Sequence, residues 1–291
     1  MLARNAGKHV ICKKPLATSI EQVDELIATA RQHDRPLVAN LMQRYNPLFE
    51  KISTLIKQKL LGDLLHGYFE NYASDEGLGP DHWFWDPAKS GGIFIEHGVH
   101  FFDLFAGWLG AGVVVAGQRS QRPGSDIEDQ LQCTVRYDHG THINFDHGFT
   151  QPARLDRQEI RLFFERGDVT LKEWIPTRVR ITAIADEAGT RTLSELFAGA
   201  RLDISSIYSG SDRSCRGRHK QLDVYQMFQL HYGEGHHKMH IYGDLIRALA
   251  SDQIAWIDDR SHQRRISKEN GRDSLSLAVK ATELAREDSP A

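Results

Sequence analysis

Cysteine is scarce: the 291-residue chain holds three, Cys12, Cys133 and Cys215. An odd number at wide spacing argues against a disulfide framework or a zinc knuckle and points to reduced thiols in a cytoplasmic protein. An excess of one charge is missing too. The 36 Lys and Arg against 39 Asp and Glu leave a formal net charge of −3, so no footprint for nucleic acid appears. No apolar run approaches a membrane span, and no signal-peptide pattern follows Met1. The motifs G-x-G-x-x-G, G-x-S-x-G and H-E-x-x-H are all absent. On its own residues the chain therefore shows no dinucleotide loop, nucleophile elbow or zincin helix. No internal repeat or low-complexity tract stands out.

What is present is enough apolar residue, 40%, to bury a sizeable core in one large domain or two. His9 to Cys12 reads as a short buried strand, Ser19 to His33 as a helix capped by Thr18 or Ser19, and Leu37 to Leu41 as a second strand. Together they make one right-handed parallel βαβ unit. A parallel sheet does not stand on two strands, so the chain is expected either to begin in the middle of a fold or to borrow the missing strands. An amphipathic helix follows over Asn46 to Leu60, with Pro47 in its first turn, then a strand over Leu64 to Tyr72. Beyond residue 130 the pattern predicts hairpins, Gln130–Asp138 with Thr141–Phe149 and Gln158–Glu165 with Val169–Trp174, and a strand over Thr177–Ile184. Residues Arg201 to Lys220 read as a loop, and His236–Ala250 and Gly271–Arg286 as helices.

The organising stretch is Ala88 to Phe105, AKSGGIFIEHGVHFFDLF. At 100° per residue Glu96, His100 and Asp103 share one stripe, and apolar residues fill the rest of the wheel. A helix apolar almost all round is buried, and buried ionisable groups are costly unless paired or used. A satisfied structural network is the bland alternative; proton transfer by Glu96 and His100 in a cleft is the functional one. Just ahead, a Gly-, Pro- and Trp-rich loop carries Trp83 and Trp85, which suggest a substrate lip. Plain packing is the commoner fate of such aromatics. The 15 histidines raise a metal alternative through His236, His237 and His240, or His139, His142 and His147. Odd separations on a hairpin put side chains on opposite faces, so His139 and His142 do not simply converge.

The run Gly7 to Leu16, GKHVICKKPL, resembles the segment that closes the Rossmann half of the Gfo/Idh/MocA oxidoreductases. In that family a Glu-Lys-Pro tripeptide follows the strand. Its lysine maps onto Lys14, and Lys13 replaces the glutamate. A second motif maps onto Gly91, Gly92, Glu96, Gly98 and His100, with Glu96 in place of the usual aspartate and Asp103 matching a further acid. Arg44-Tyr45-Asn46-Pro47 and the closing helix also match. The resemblance implies an α/β plus α+β fold. Residues 1–45 would be the C-terminal remnant of a dinucleotide-binding domain, through a truncated gene model more than a genuine fragment or a chain that has lost redox function. Residues 46–291 would be a larger substrate and oligomerisation domain, with an open, mostly antiparallel sheet covered by helices. It implies NAD or NADP as cofactor, contacted by Lys14, Pro15 and Arg44, and a sugar, inositol or polyol substrate met by Lys14, Glu96, His100, Trp83 and Trp85. It implies catalysis by Lys14, His100 and Glu96 without a metal, no nucleic-acid or membrane partner, and a homo-oligomer formed through the sheet. A non-catalytic, sheet-mediated partner-binding domain and a metal-dependent hydrolase or isomerase remain the alternatives from other classes.

Overall fold

The computed structural model describes residues 6–233, 235 and 237–287. The chain opens with β1 (Val10–Cys12), α1 (Ile20–Gln32) and β2 (Leu37–Ala39), the two strands pairing in parallel. The Ser19 side chain caps α1 by accepting from the Gln22 N–H, while the Gln22 side chain reaches back to Thr18, a capping-box reciprocity. α2 (Pro47–Lys57) starts on Asn46, whose side chain accepts from the Leu48 N–H and donates to the Pro176 carbonyl.

The rest is built on a nine-stranded sheet. Its strands in chain order are β3 (Leu64–Ser74), β4 (Gly112–Gln121), β5 (Glu128–Tyr137), β6 (His142–Gln151), β7 (Arg157–Phe164), β8 (Gly167–Lys172), β9 (Arg178–Ala185), β10 (Arg201–Ile207) and β13 (Gln226–Tyr232). A small separate hairpin supplies β11 (Ser214–Gly217) and β12 (Lys220–Asp223). The spatial order β10-β13-β9-β8-β7-β3-β6-β5-β4 is antiparallel except where β3 lies parallel to β6. Both predicted hairpins form.

Along β6 the side chains alternate as period two demands. Ile143, Phe145 and His147 are buried, whereas His142 and Asn144 are exposed on the other face. On the buried face lies the central helix, α4 (Val99–Leu109), with Phe101 stacked on Phe69 and Phe102 against Phe145. At ~1.5–3 kcal/mol for each fully buried aromatic, this packing outweighs the cost of carrying polar groups inward.

Two further helices, α5 (Glu187–Leu196) and α6 (Lys238–Asp258), precede α7 (Lys268–Glu287). α7 packs on α1 and β2 at one end and on β4 and α4 at the other. Both approaches need glycine. A Cβ on Gly271 would meet Leu16 Cδ1 at 2.6 Å, and one on Gly117 would meet the Ala285 backbone nitrogen at 2.7 Å.

Several expectations need correction. Residues 201–220 are not a loop: they hold the sheet-edge strand β10, β11 and the turn into β12. β10 is largely exposed and bulged between Ile204 and Ser206, so Leu202, Ile204 and Ile207 do not keep the period of two that marks a strand in sequence. The helix expected to end before Ser251 runs on to Asp258. Asp252 is a hydrogen-bond hub, accepting from the Tyr45 hydroxyl at 2.6 Å and the Arg265 N–H at 3.0 Å. Among the described residues no helix is long and apolar enough to cross a membrane.

Candidate active site

Gly91 and Gly92, both with positive φ, end the short helix α3 (Pro87–Ser90) and lead into a π-helical turn, Phe94–Gly98, that runs directly into α4. A π turn holds one residue more than an α turn. The single stripe expected for Glu96, His100 and Asp103 is therefore broken, and the two acids face different partners.

Glu96 turns toward the loop after β1. Lys14 Nζ donates to Glu96 Oε1 at 2.9 Å and also to the Glu96 backbone carbonyl. The two side chains are 11% and 14% exposed, so the pair is mostly desolvated yet reachable. Burial lowers the Lys14 pKa, and the Glu96 charge opposes that shift. Lys14 and Glu96 border an open cleft of about 240 Å³ together with Lys13, Pro15, Trp83 and Lys89.

His100, one turn further on, is buried and, contrary to expectation, is not among the residues that border the cleft. Burial pushes its pKa well below the ordinary imidazole value, and the Lys14 charge adds to the shift. Its Nδ1 is buried without a hydrogen-bond partner. A neutral imidazole with a free ring nitrogen has the chemical form of a general base.

Next to Glu96, His97 points away from the cleft. Its Nδ1 lies 3.0 Å from Nδ1 of His147, so one ring donates and the other accepts. Burial, then Lys14, depresses His97 to about 3, and burial holds His147 well below its ordinary value. The linkage was missed in the sequence, where His147 figured only as a metal candidate. The available signal was its parity with Ile143 and Phe145 on the apolar face of β6.

Two expected site residues lie elsewhere. Arg44 is clasped by Asp103: Nε donates to Oδ2 at 2.9 Å and Nη2 to Oδ1 at 2.7 Å. Asp103 is 2% exposed, so this guanidinium braces α4 and does not face the cleft. Trp85 donates its indole N–H to the Leu78 carbonyl and packs edge-on against Phe84 and Phe149. Trp83 alone stands at the mouth, 45% exposed. His236 lies outside the described residues. No group of three or more His, Cys, Asp or Glu side chains is arranged to hold a metal among the described residues.

The molecule is thus a parallel βαβ unit joined to a large, mostly antiparallel sheet, with a lysine and a carboxylate meeting at the junction. Comparison with known proteins agrees. Residues 49–170 match the GFO/IDH/MocA C-terminal domain, and residues 1–41 match the oxidoreductase family with an NAD-binding Rossmann fold. The chain belongs to the Gfo/Idh/MocA oxidoreductase family.

Among its relatives, the uncharacterised oxidoreductase YrbE of Bacillus subtilis is 25% identical over 187 residues, which is 62% of this chain and 53% of that protein. The trans-1,2-dihydrobenzene-1,2-diol dehydrogenase of Bos taurus is 26% identical over 149 residues, 50% of this chain and 43% of that one. The chain thus spans about half the length of these curated relatives. In fold it is similar to an inositol dehydrogenase homologue of Azotobacter vinelandii complexed with NAD+ (TM-score 0.72, 16% identity, covering 99% of this chain and 72% of that one). A levoglucosan dehydrogenase complexed with NADH and levoglucosan gives TM-score 0.70 at 16% identity, covering 99% and 74%.

Proposed function

We propose that this chain carries the acid–base site of an NAD(P)-dependent oxidoreductase acting on a secondary alcohol of a sugar, an inositol or a related polyol. The observation that carries the reading is the Lys14–Glu96 contact at the cleft, with a buried, neutral His100 one turn further along the same helical run. Residues 1–45 then form the cofactor-side unit and 46–291 the substrate and oligomerisation unit, with α7 spanning both.

The residues present fit the nicotinamide end of the cofactor, since Lys14 and Pro15 border the cleft. When bound, NAD(P) supplies the hydride acceptor.

The chain's own residues handle the proton and the charge. Loss of hydride from a carbinol carbon requires loss of the hydroxyl proton, and His100 takes it as general base. Lys14, held by Glu96, donates to the same oxygen and stabilises the developing alkoxide. Glu96 also accepts from a neighbouring hydroxyl, and Trp83 covers the apolar face of the ring.

Two measurements on the chain test this reading: NADH fluorescence titration, and polyol-dependent reduction of NAD+ across a panel of sugars and inositols. Saturable NADH binding with turnover by at least one polyol is expected. No NADH binding and no turnover would sink it.

Self-association through the open sheet face is a second reading with its own support. That face carries a depression of about 400 Å³ bordered by Tyr68, Glu70, Gln132, Thr134, Asn144 and Asp146. Its polar groups are pre-ordered, with Gln132 donating to Asp146 at 2.6 Å and Thr134 to Asn144 at 2.7 Å. Light scattering should give a dimer or higher oligomer, and a Gln132→Trp variant should shift it toward monomer.

A further inference from the structure

The charges around the cleft do not balance. Four charged side chains border it: Lys13, Lys14, Lys89 and Glu96. Lys14 and Glu96 neutralise each other at 2.9 Å. Lys89 is paired at 3.0 Å with Asp86, one turn earlier on its own short helix. Lys13 makes no ion pair or side-chain hydrogen bond among the described residues, and it is exposed at the cleft wall. Its charge nevertheless reaches inward, since it contributes to lowering both Lys14 and His100. A solvated surface lysine is the ordinary alternative. Against it stands the position of Lys13, next in sequence to the lysine that meets Glu96.

Resting on the polyol reading above, we infer that the substrate is an anionic polyol, a sugar or cyclitol bearing a carboxylate or phosphate group, with Lys13 as the residue that selects it. The geometry divides the labour. Trp83 offers an aromatic face to the ring, Lys14 and Glu96 meet hydroxyls, and Lys13 meets the anion at the open side. A charge-assisted contact in a partly desolvated cleft corresponds to about tenfold in affinity, weakening as salt rises.

The test is isothermal titration calorimetry on the whole chain, with and without NAD+. Each neutral compound is paired with its charged forms: D-glucose with D-glucuronate and D-glucose 6-phosphate, and myo-inositol with myo-inositol 1-phosphate. The charged member of a pair should bind about tenfold more tightly at low salt, and Lys13→Glu should erase that preference. Whether the uronate or the phosphate gains more identifies the anion. Equal binding of neutral and charged members, or a preference that survives Lys13→Glu, would overturn the inference and leave the polyol reading standing. Failure of every compound to bind, with and without NAD+, would overturn both.

Discussion

Two ion pairs hang from one helical run, and they serve opposite ends. Arg44 and Asp103 meet in bidentate geometry with Asp103 fully inside, assisted by Asn270. Lys14 and Glu96 meet through a single side-chain contact at a cleft wall. The first uses a planar fork that matches a carboxylate and holds its geometry. The second uses a point charge on a flexible stem, which can turn toward a ligand. Acid–base residues on one buried helix are thus not one site; what separates them is the π turn between them and what lies opposite each.

The sharpest way to break the comparison is through His100. His100→Asn should lower turnover by about two to four orders of magnitude while shifting the melting temperature by only a few degrees. Near-normal NAD+ reduction would remove His100 as the base. Arg44→Met should act the other way, on folding. Leaving Asp103 buried and unpaired costs about 3–5 kcal/mol, read from urea denaturation. Lys14→Met should cost less, because Glu96 keeps a path to water at the cleft, yet it should abolish polyol turnover. Equal destabilisation by the two variants would erase the distinction drawn here.

The buried imidazoles give a milder effect with a definite sign. His97, His100 and His147 are all depressed in the folded state, His97 to about 3. Unfolded imidazoles titrate near 6.5, so below that pH the unfolded chain binds more protons. The stabilisation is whole above about pH 6.5 and is lost as pH falls toward the folded values. The slope is about 1.4 kcal/mol per pH unit for each group. Chemical denaturation at pH 7.5 and 5.5 should show a drop that shrinks when His147 is replaced by Phe. Smallest of all, Trp83→Ala should leave stability within about 0.5 kcal/mol while weakening sugar binding several-fold.

The sequence revealed the parts of this site that local pattern encodes. Lys14 after its strand, Glu96 and His100 on an apolar helix, and the Asn46 and Ser19 caps are all visible in windows of a few residues. The π turn is not, because Gly91-Gly92 announces a break without saying how the next turn winds. Arg44–Asp103 spans 59 positions, and no periodicity links such distant residues. β10 escaped because a bulge between Ile204 and Ser206 breaks the period of two that its isoleucines would otherwise show. Gly117, which no local pattern explains, finds its reason where the backbone of α7 passes.

That passage has a temporal side. α7, at residues 268–287, is made long after α1 and β2, at residues 20–39, yet it packs on both. Gly271 rests on Leu16, so that side of the βαβ unit is covered only once α7 has been made. Long-range closure of this kind slows folding, and it leaves the early strands exposed while the large sheet assembles. Nascent chains stalled before residue 268 should therefore be the species that chaperones hold, and emergence of α7 the event that releases them.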